Sequence, residues 1–296
     1  MSGTQNRPDP FDEGGPDIHD QVSPRPVITL LSDFGLDDHY VGVMKGVILA
    51  TNPEVHIVDI SHAIPPYDVT AAALVLASAY HYFPKGAIHV AVVDPGVGGD
   101  RRGLLAATDN YFFIGPDNGT FTYIYDDPSF LWARHLRTVE YFLEKVSSTF
   151  HGRDVFAPVA GHLSLGEPTD SFGPLAEDLV RLETARPVVG EDGSIRGEVI
   201  YVDRFGNLIT NIDTSAFWEG ESRAGSMEEN LIPVIEACGK VIRGMSEFYG
   251  AVPPGEAGAQ LNSWSRMEIF MPEGNAAREL GAGKGLPVRV RFERAE

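Results

Sequence analysis

The chain contains a single cysteine, Cys238, among 296 residues. One thiol excludes an internal disulfide and any CxxC zinc or redox motif, and it fits a reducing, cytoplasmic setting. Cations are scarce as well: 23 Lys and Arg stand against 42 Asp and Glu, a formal net charge of −19. A surface this acidic repels phosphate backbones, which argues against a nucleic-acid partner. It is compatible with a cationic substrate, although such carboxylates commonly do no more than solvate a surface. Long apolar runs are missing too. The longest, Ala71–Ala79, is nine residues, far short of the ~20 needed to cross a bilayer, so no membrane span is expected. The nine histidines show no HExxH or comparable ligand spacing, so no metal site is expected. No GxSxG elbow occurs. Gly96–Arg101 begins as GxG but carries Arg101 where a dinucleotide fingerprint needs its third glycine, and a strand rather than a helix follows. Gly281–Gly285 (GAGKG) lacks P-loop spacing and the Ser or Thr after the lysine.

What is present looks globular. Apolar residues make up 43% and charged residues 22%, ordinary usage for a soluble domain, and the length suits two domains or one large one. Residues 1–25 hold four prolines and three glycines without apolar periodicity. They lack the basic start and apolar centre of a signal peptide and read as a disordered acidic tail. From Val27, strand-like VITLLS, a helical stretch His39–Ala50, strand VHIVDIS, a helix N-capped by Asp68 and strand AIHVAVV alternate. This β-α-β-α-β order predicts an α/β domain with a largely parallel sheet over residues 26–190. LLAATD and YFFIGPDNG read as two further short strands. From Gly197 the texture becomes short β-type runs separated by Gly and Asn, with no long helical pattern. Residues 197–296 are therefore expected to form a smaller, mostly antiparallel β-barrel-like domain. Glu219–Asn230 is expected to be a polar surface loop, and the domain boundary falls near Pro187–Gly197.

In open parallel sheets, ligands sit beyond the carboxyl ends of the strands. Three predicted strands end there in an aspartate: Asp33, Asp59 and Asp94. Each could equally be a cap or turn former. Later, FHGRDVFAP places His151 in a polar turn ahead of an apolar helix, followed by Arg153 and Asp154. Such a histidine is often a cap or core group. If it shared a pocket with Asp94 and Arg101, the three could orient and deprotonate a water, with the arginine fixing the carboxylate. Cys238 has no activating base nearby in sequence and reads as inert. Residues alone thus indicate an α/β ligand-binding domain, a small β domain and an acidic pocket.

The segments LSDFGLDDHYVGVMKG, VDISHAIPPYDV, VAVVDPGVGGDRR, IGPDNG, SSTFHGRDVFAP, DRFGNLITNI and NSWSRMEIF…GNAA occur in this order. Together they resemble the S-adenosyl-L-methionine hydroxide adenosyltransferases, relatives of the bacterial fluorinase and chlorinase. The likeness runs from Ile28 to about Phe292. It implies cleavage of S-adenosylmethionine by water at the ribose carbon bonded to sulfur, giving adenosine and methionine. It also implies a homotrimer with sites at subunit interfaces, and a reaction needing no cofactor. By the same resemblance the catalytic triad is Asp94, Arg101 and His151, with the adjacent Arg102 an alternative to Arg101. Which of Asp94 and His151 takes the proton stays open. Asp33 would bind the ribose, Asp38 and Asp203 the methionine end, and Tyr67 would lie beside the ligand. Phe205 and Asn207 would belong to the adenine site, with Ser263, Asn275 and Ala276 as barrel residues facing adenine.

Three alternatives stand beside hydrolysis. The halogenating relatives hold a bare halide among neutral groups where this family holds water. A carboxylate at position 94, ~4 Å from a chloride, would oppose it by roughly 4 kcal/mol at an effective dielectric near 20. The second alternative is a sensor that binds S-adenosylmethionine or adenosine without turnover. A dinucleotide-dependent oxidoreductase is remote, given the failed glycine fingerprint.

Overall fold

The computed structural model describes residues 25–225 and 231–294. Apart from Arg25, the expected acidic tail lies outside the described residues. Two compact units meet in sequence between Leu182 and Glu183, so residues 183–190, expected in the N-terminal domain, fall in the second unit.

The first unit contains β1 (Val27–Ser32), α1 (Tyr40–Thr51), β2 (His56–Ser61), α2 (Val69–Ala79), β3 (Ile88–Val92), β4 (Gly103–Thr108), β5 (Phe112–Pro116), the short α3 (Thr122–Tyr125), β6 (Phe130–His135) and α4 (Ala157–Ser164). Its six strands lie in the order β2-β1-β3-β5-β4-β6. The first four are mutually parallel. β4 runs antiparallel to both its neighbours, because only a short turn separates β4 from β5 and a hairpin permits no other pairing. The predicted alternation and largely parallel sheet are therefore present. Asp68 caps α2, its Oδ1 accepting the Ala71 N–H at 2.9 Å. Strands β3 and β5 are buried along their whole length, which explains why their sequences are apolar apart from His89. Ile28, Leu30, Val90, Ile114 and Phe156 form the centre of this core.

The second unit contains β7 (Val188–Val189), β8 (Ile195–Val202), β9 (Leu208–Asp213), α5 (Thr214–Ala224), β10 (Leu231–Ala237), β11 (Lys240–Arg243), β12 (Gly258–Leu261), β13 (Arg266–Phe270), the short α6 (Ala276–Leu280) and β14 (Pro287–Arg294). The strand order is β11-β10-β14-β8-β9-β13-β12, with β7 pairing β8. All pairings are antiparallel, and the sheet is a nearly closed barrel. One expectation is corrected here. A helix, α5, does intervene, and Glu219–Ala224 belongs to it rather than to a loop; residues 226–230 lie outside the described residues. Only Ala216, Phe217 and Gly220 of α5 are buried; the rest of the helix is mostly polar, so the segment reads as surface rather than as a long apolar helix. Among the described residues no helix is long and apolar enough to cross a membrane.

Candidate active site

In the first unit, the carboxyl ends of β1 and β3 open onto a cleft of about 340 Å³, within the usual size of a small-molecule site. Asp33, Tyr67, Asp94 and His151 line it, with Phe34, Tyr40 and Phe150 as an apolar wall. Of the three strand-end aspartates, Asp33 and Asp94 face this cleft. Asp59 does not line it, and pairs with Lys45 at 2.6 Å. Asp38 is exposed in the loop before α1 and does not line the cleft.

Asp94 follows β3 after one intervening residue. Two successive turns, Val97 N–H to Asp94 O and Gly99 N–H to Gly96 O, double the chain back so that Arg101 meets Asp94. The Arg101 Nε donates to Oδ1 and Oδ2, each at 2.9 Å, and Nη2 donates to Oδ2. The two side chains are only 12% and 5% exposed, so the pair is held away from competing water. The guanidinium also lies over the Phe156 ring, 5.4 Å from its centroid.

The same Nη2 stands 2.6 Å from His151 Nδ1. Arginine has no acceptor, so Nδ1 must accept and the ring carries its proton on Nε2. Burial, reinforced by the Arg101 charge, holds the His151 pKa below the usual imidazole value, against the opposing pull of Asp94 and Asp154. His151 is therefore a neutral ring whose free lone pair is occupied by Arg101. Arg102 turns elsewhere. It binds the buried Asp117 at 2.5 Å and Asp178 at 2.6 Å, and Asp117 also accepts the Val180 N–H. Of the two candidate arginines, Arg101 alone contacts Asp94.

His151 heads a π-helical turn, Gly152–Phe156, that runs into α4. Such turns cluster at functional sites, and nothing in FHGRDVFAP distinguishes this one from an ordinary helix start. The sequence reading placed Asp154 beside His151 without seeing its task. Its fully buried carboxylate binds Arg153 Nε at 2.5 Å and accepts from Ser147 N and Oγ at 2.8 and 2.7 Å, which anchors the segment leading to His151. Gly98 (φ +76°) lets the Asp94 loop touch that segment, since a Cβ there would lie 2.0 Å from Ser148 O.

Asp33 Oδ2 accepts the Tyr67 N–H at 2.8 Å, which places the Tyr67 ring at the cleft, 73% exposed.

In the second unit the Asp203 carboxylate closes a turn. Oδ1 accepts the N–H groups of Phe205 and Asn207 at 2.9 and 2.8 Å, and Oδ2 accepts Asn207 Nδ2 at 2.9 Å. The Phe205 ring stands exposed. Gly206 (φ +87°) lies against Asn275, where a Cβ would come within 2.2 Å of its Cγ, and the Ala277 N–H donates to Gly206 O. Phe205, Asn207, Asn275 and Ala276 are thus gathered around one turn. Asp203 and Ser263 line a pocket of about 380 Å³ beside Tyr249 and Glu268. The sequence reading missed the last two. Glu268 is buried and accepts from Tyr249 Oη, Gln260 Nε2 and Asn262 Nδ2 at 2.7, 2.6 and 3.0 Å. Burial and this carboxylate push the Tyr249 phenol up to about 12.

Comparison with known proteins places these features in a family. Residues 28–173 match the SAM hydroxide adenosyltransferase N-terminal domain and residues 197–289 its C-terminal domain. An (R)-S-adenosyl-L-methionine hydrolase of Thermus thermophilus is 39% identical, over 90% of this chain and 99% of the relative. One of Salinispora tropica is 34% identical over 91% and 99%. Proteins named fluorinase are more distant, one from Nocardia brasiliensis being 31% identical over 64% of this chain. The solved structure of an uncharacterized conserved protein from Thermotoga maritima superimposes with a TM-score of 0.81 at 34% identity, over 89% of this chain and 99% of that one. With both domain models matched in order, the chain belongs to the SAM hydroxide adenosyltransferase family.

Proposed function

We propose that the protein hydrolyses S-adenosyl-L-methionine to adenosine and L-methionine by in-line attack of water on the ribose carbon bonded to sulfur. The observation that carries this reading is the Asp94 carboxylate at the cleft, clamped by Arg101, which is itself held by a neutral His151. The C–O bond forms as the C–S bond breaks, and the bonding pair leaves on sulfur as the thioether of methionine. A sulfonium is already a good leaving group, so the reaction calls for no metal or redox cofactor. What remains is to hold a water in line and remove its proton. Because Arg101 occupies the His151 lone pair, Asp94 is assigned as the group that orients the water and takes its proton, Arg101 as its clamp and His151 as the support of Arg101. Asp33 is assigned to the ribose, and the carboxylates of the cleft offset the sulfonium charge. The second-unit residues around the Asp203 turn are assigned to the adenine and methionine ends.

The charge of Asp94 disfavours a halide in the same position, which separates this reading from the halogenating relatives. The homotrimer and the cytoplasmic setting are part of the proposal; sedimentation of the purified protein tests the first. Incubation with S-adenosylmethionine in oxygen-labelled water, with and without chloride, tests the chemistry by mass spectrometry. Labelled adenosine and methionine in both buffers are expected. Chlorinated deoxyadenosine appearing only with chloride would move the protein to halogenation, and binding without product would make it a sensor.

A further inference from the structure

The loop after β1 and the loop after β2 are fastened together by three hydrogen bonds, and His62 makes two of them. Its carbonyl accepts the Gly35 N–H at 2.8 Å, and its Nδ1 lies 2.7 Å from Ser32 Oγ. The third is the Asp33–Tyr67 bond at the cleft. The His62 side chain is 3% exposed and Ser32 is fully buried, so neither reaches the cleft itself.

Ser32 Oγ accepts the Phe34 N–H at 3.3 Å, so the one hydroxyl ties the Phe34 backbone to the His62 ring. On the far side of the ring, Nε2 stands 3.1 Å from Asp59 Oδ1, without the alignment of a hydrogen bond. Asp59 is held through Oδ2 by Lys45 of α1. The chain of contacts therefore runs from Phe34 through Ser32 to His62, with Asp59 and Lys45 behind. The β1–β2 register slips by one residue just here, Leu30 facing Asp59 and Leu31 facing Ser61. Such irregularities re-aim chain ends beside active sites.

We propose that His62 is a positioning residue for Asp33: the buried imidazole fixes the Ser32–Gly35 turn and thereby the direction of the Asp33 carboxylate into the cleft. This rests on the reading that Asp33 contacts the substrate. A histidine that merely fills the core would affect stability and leave the site alone, and a double-mutant cycle separates the two roles. His62→Ala is expected to lower kcat/KM by about tenfold or more, within the range of coupling between contacting residues, measured well below its Tm. The conservative His62→Asn, whose amide can reach Ser32, is expected to recover most of that loss. In an Asp33→Asn background, His62→Ala is expected to cost less than about twofold, because the group it positions is already gone. If His62→Ala does not fold, Ser32→Ala severs the same link with the imidazole in place and is read in the same cycle. A full, additive loss in the Asp33→Asn background would overturn the proposal, as would kcat/KM within about twofold of the parent for either single variant. Dissociation constants for S-adenosylmethionine are measured throughout. A parent that binds but releases no adenosine refutes the hydrolase reading while the cycle still tests His62 through affinity; a parent that does not bind refutes both.

Discussion

Asp33 and Tyr67 hold each other at the edge of the cleft: Asp33 Oδ2 takes the Tyr67 N–H at 2.8 Å, and Tyr67 sits at φ +67°. A bulky residue in the left-handed region costs roughly 1–2 kcal/mol, which the charge-assisted bond to Asp33 helps to offset. The strained backbone presents an aromatic ring to the ligand side, where it contributes little to the core. Tyr67→Gly is therefore expected to leave Tm nearly unchanged while weakening S-adenosylmethionine binding by about tenfold, the worth of a good aromatic contact. Calorimetry of unfolding and of binding checks both halves.

Asp94→Asn keeps the shape of the side chain and removes its charge and its capacity to take a proton. Turnover should fall by about 10²- to 10⁴-fold, the usual contribution of general base catalysis, while substrate binding persists. Single-turnover kinetics beside equilibrium binding makes the comparison. Turnover at the parental rate would refute the role given to Asp94.

The two adjacent arginines should behave oppositely. Arg101→Ala frees Asp94 and His151, so activity should collapse. Arg102→Ala strands the buried Asp117 carboxylate, and removing one partner of a buried pair costs about 3–5 kcal/mol. Its signature should be a lower Tm with kcat retained at low temperature. Thermal unfolding and initial rates on the same preparations distinguish them.

Stability should fall as the solution is acidified from neutrality. His89 is fully buried among Tyr80, Phe83, Tyr111 and Phe113, and burial drags its pKa from 6.5 to about 3. Below pH 6.5 the unfolded chain takes up a proton that the folded chain refuses. The loss therefore begins at the unfolded value and continues until the folded one is reached, at about 1.4 kcal/mol per pH unit for one such group. His151, whose pKa is also lowered, adds in the same direction. Urea unfolding between pH 7 and 5 should show this slope, and His89→Phe should flatten it.

Gly98→Ala tests the contact between the Asp94 loop and the His151 segment. The added Cβ would collide with Ser148 O at a left-handed φ that alanine resists. Pushing the two loops apart should reduce kcat by about a hundredfold, since displacements near 1 Å at a site have that effect. Gly99→Ala is the control, because its Cβ would meet only Gly96 O, at 3.3 Å.

The legible part of this protein was local. Apolar runs at β3 and β5, the Asp68 cap of α2 and the Gly-punctuated strands of the second unit each follow from a few neighbouring residues. The illegible parts were of two kinds. Helix α5 is mostly polar outside Ala216, Phe217 and Gly220 and so resembles a surface loop, and the π-helical turn at His151 shares its sequence preferences with an α-helix. The strand-end rule proposed three aspartates and could not tell that Asp59, on the half-exposed edge strand β2, would pair with Lys45 outside the cleft.

By itself the sequence determined the alternation of strands and helices, the change to a β domain and the motifs that carry the family. Those depend on periodicity, turn chemistry and residue order, all of which are written along the chain. Tertiary structure alone decided that Arg101 and not Arg102 meets Asp94, that Arg101 takes the His151 lone pair from 50 positions away, and that a buried His62 stands behind Asp33. Which of two neighbouring side chains faces a distant partner depends on how loops turn back on one another. Hydrogen-bond donors act only over about 3 Å, a distance that spacing along a sequence does not encode.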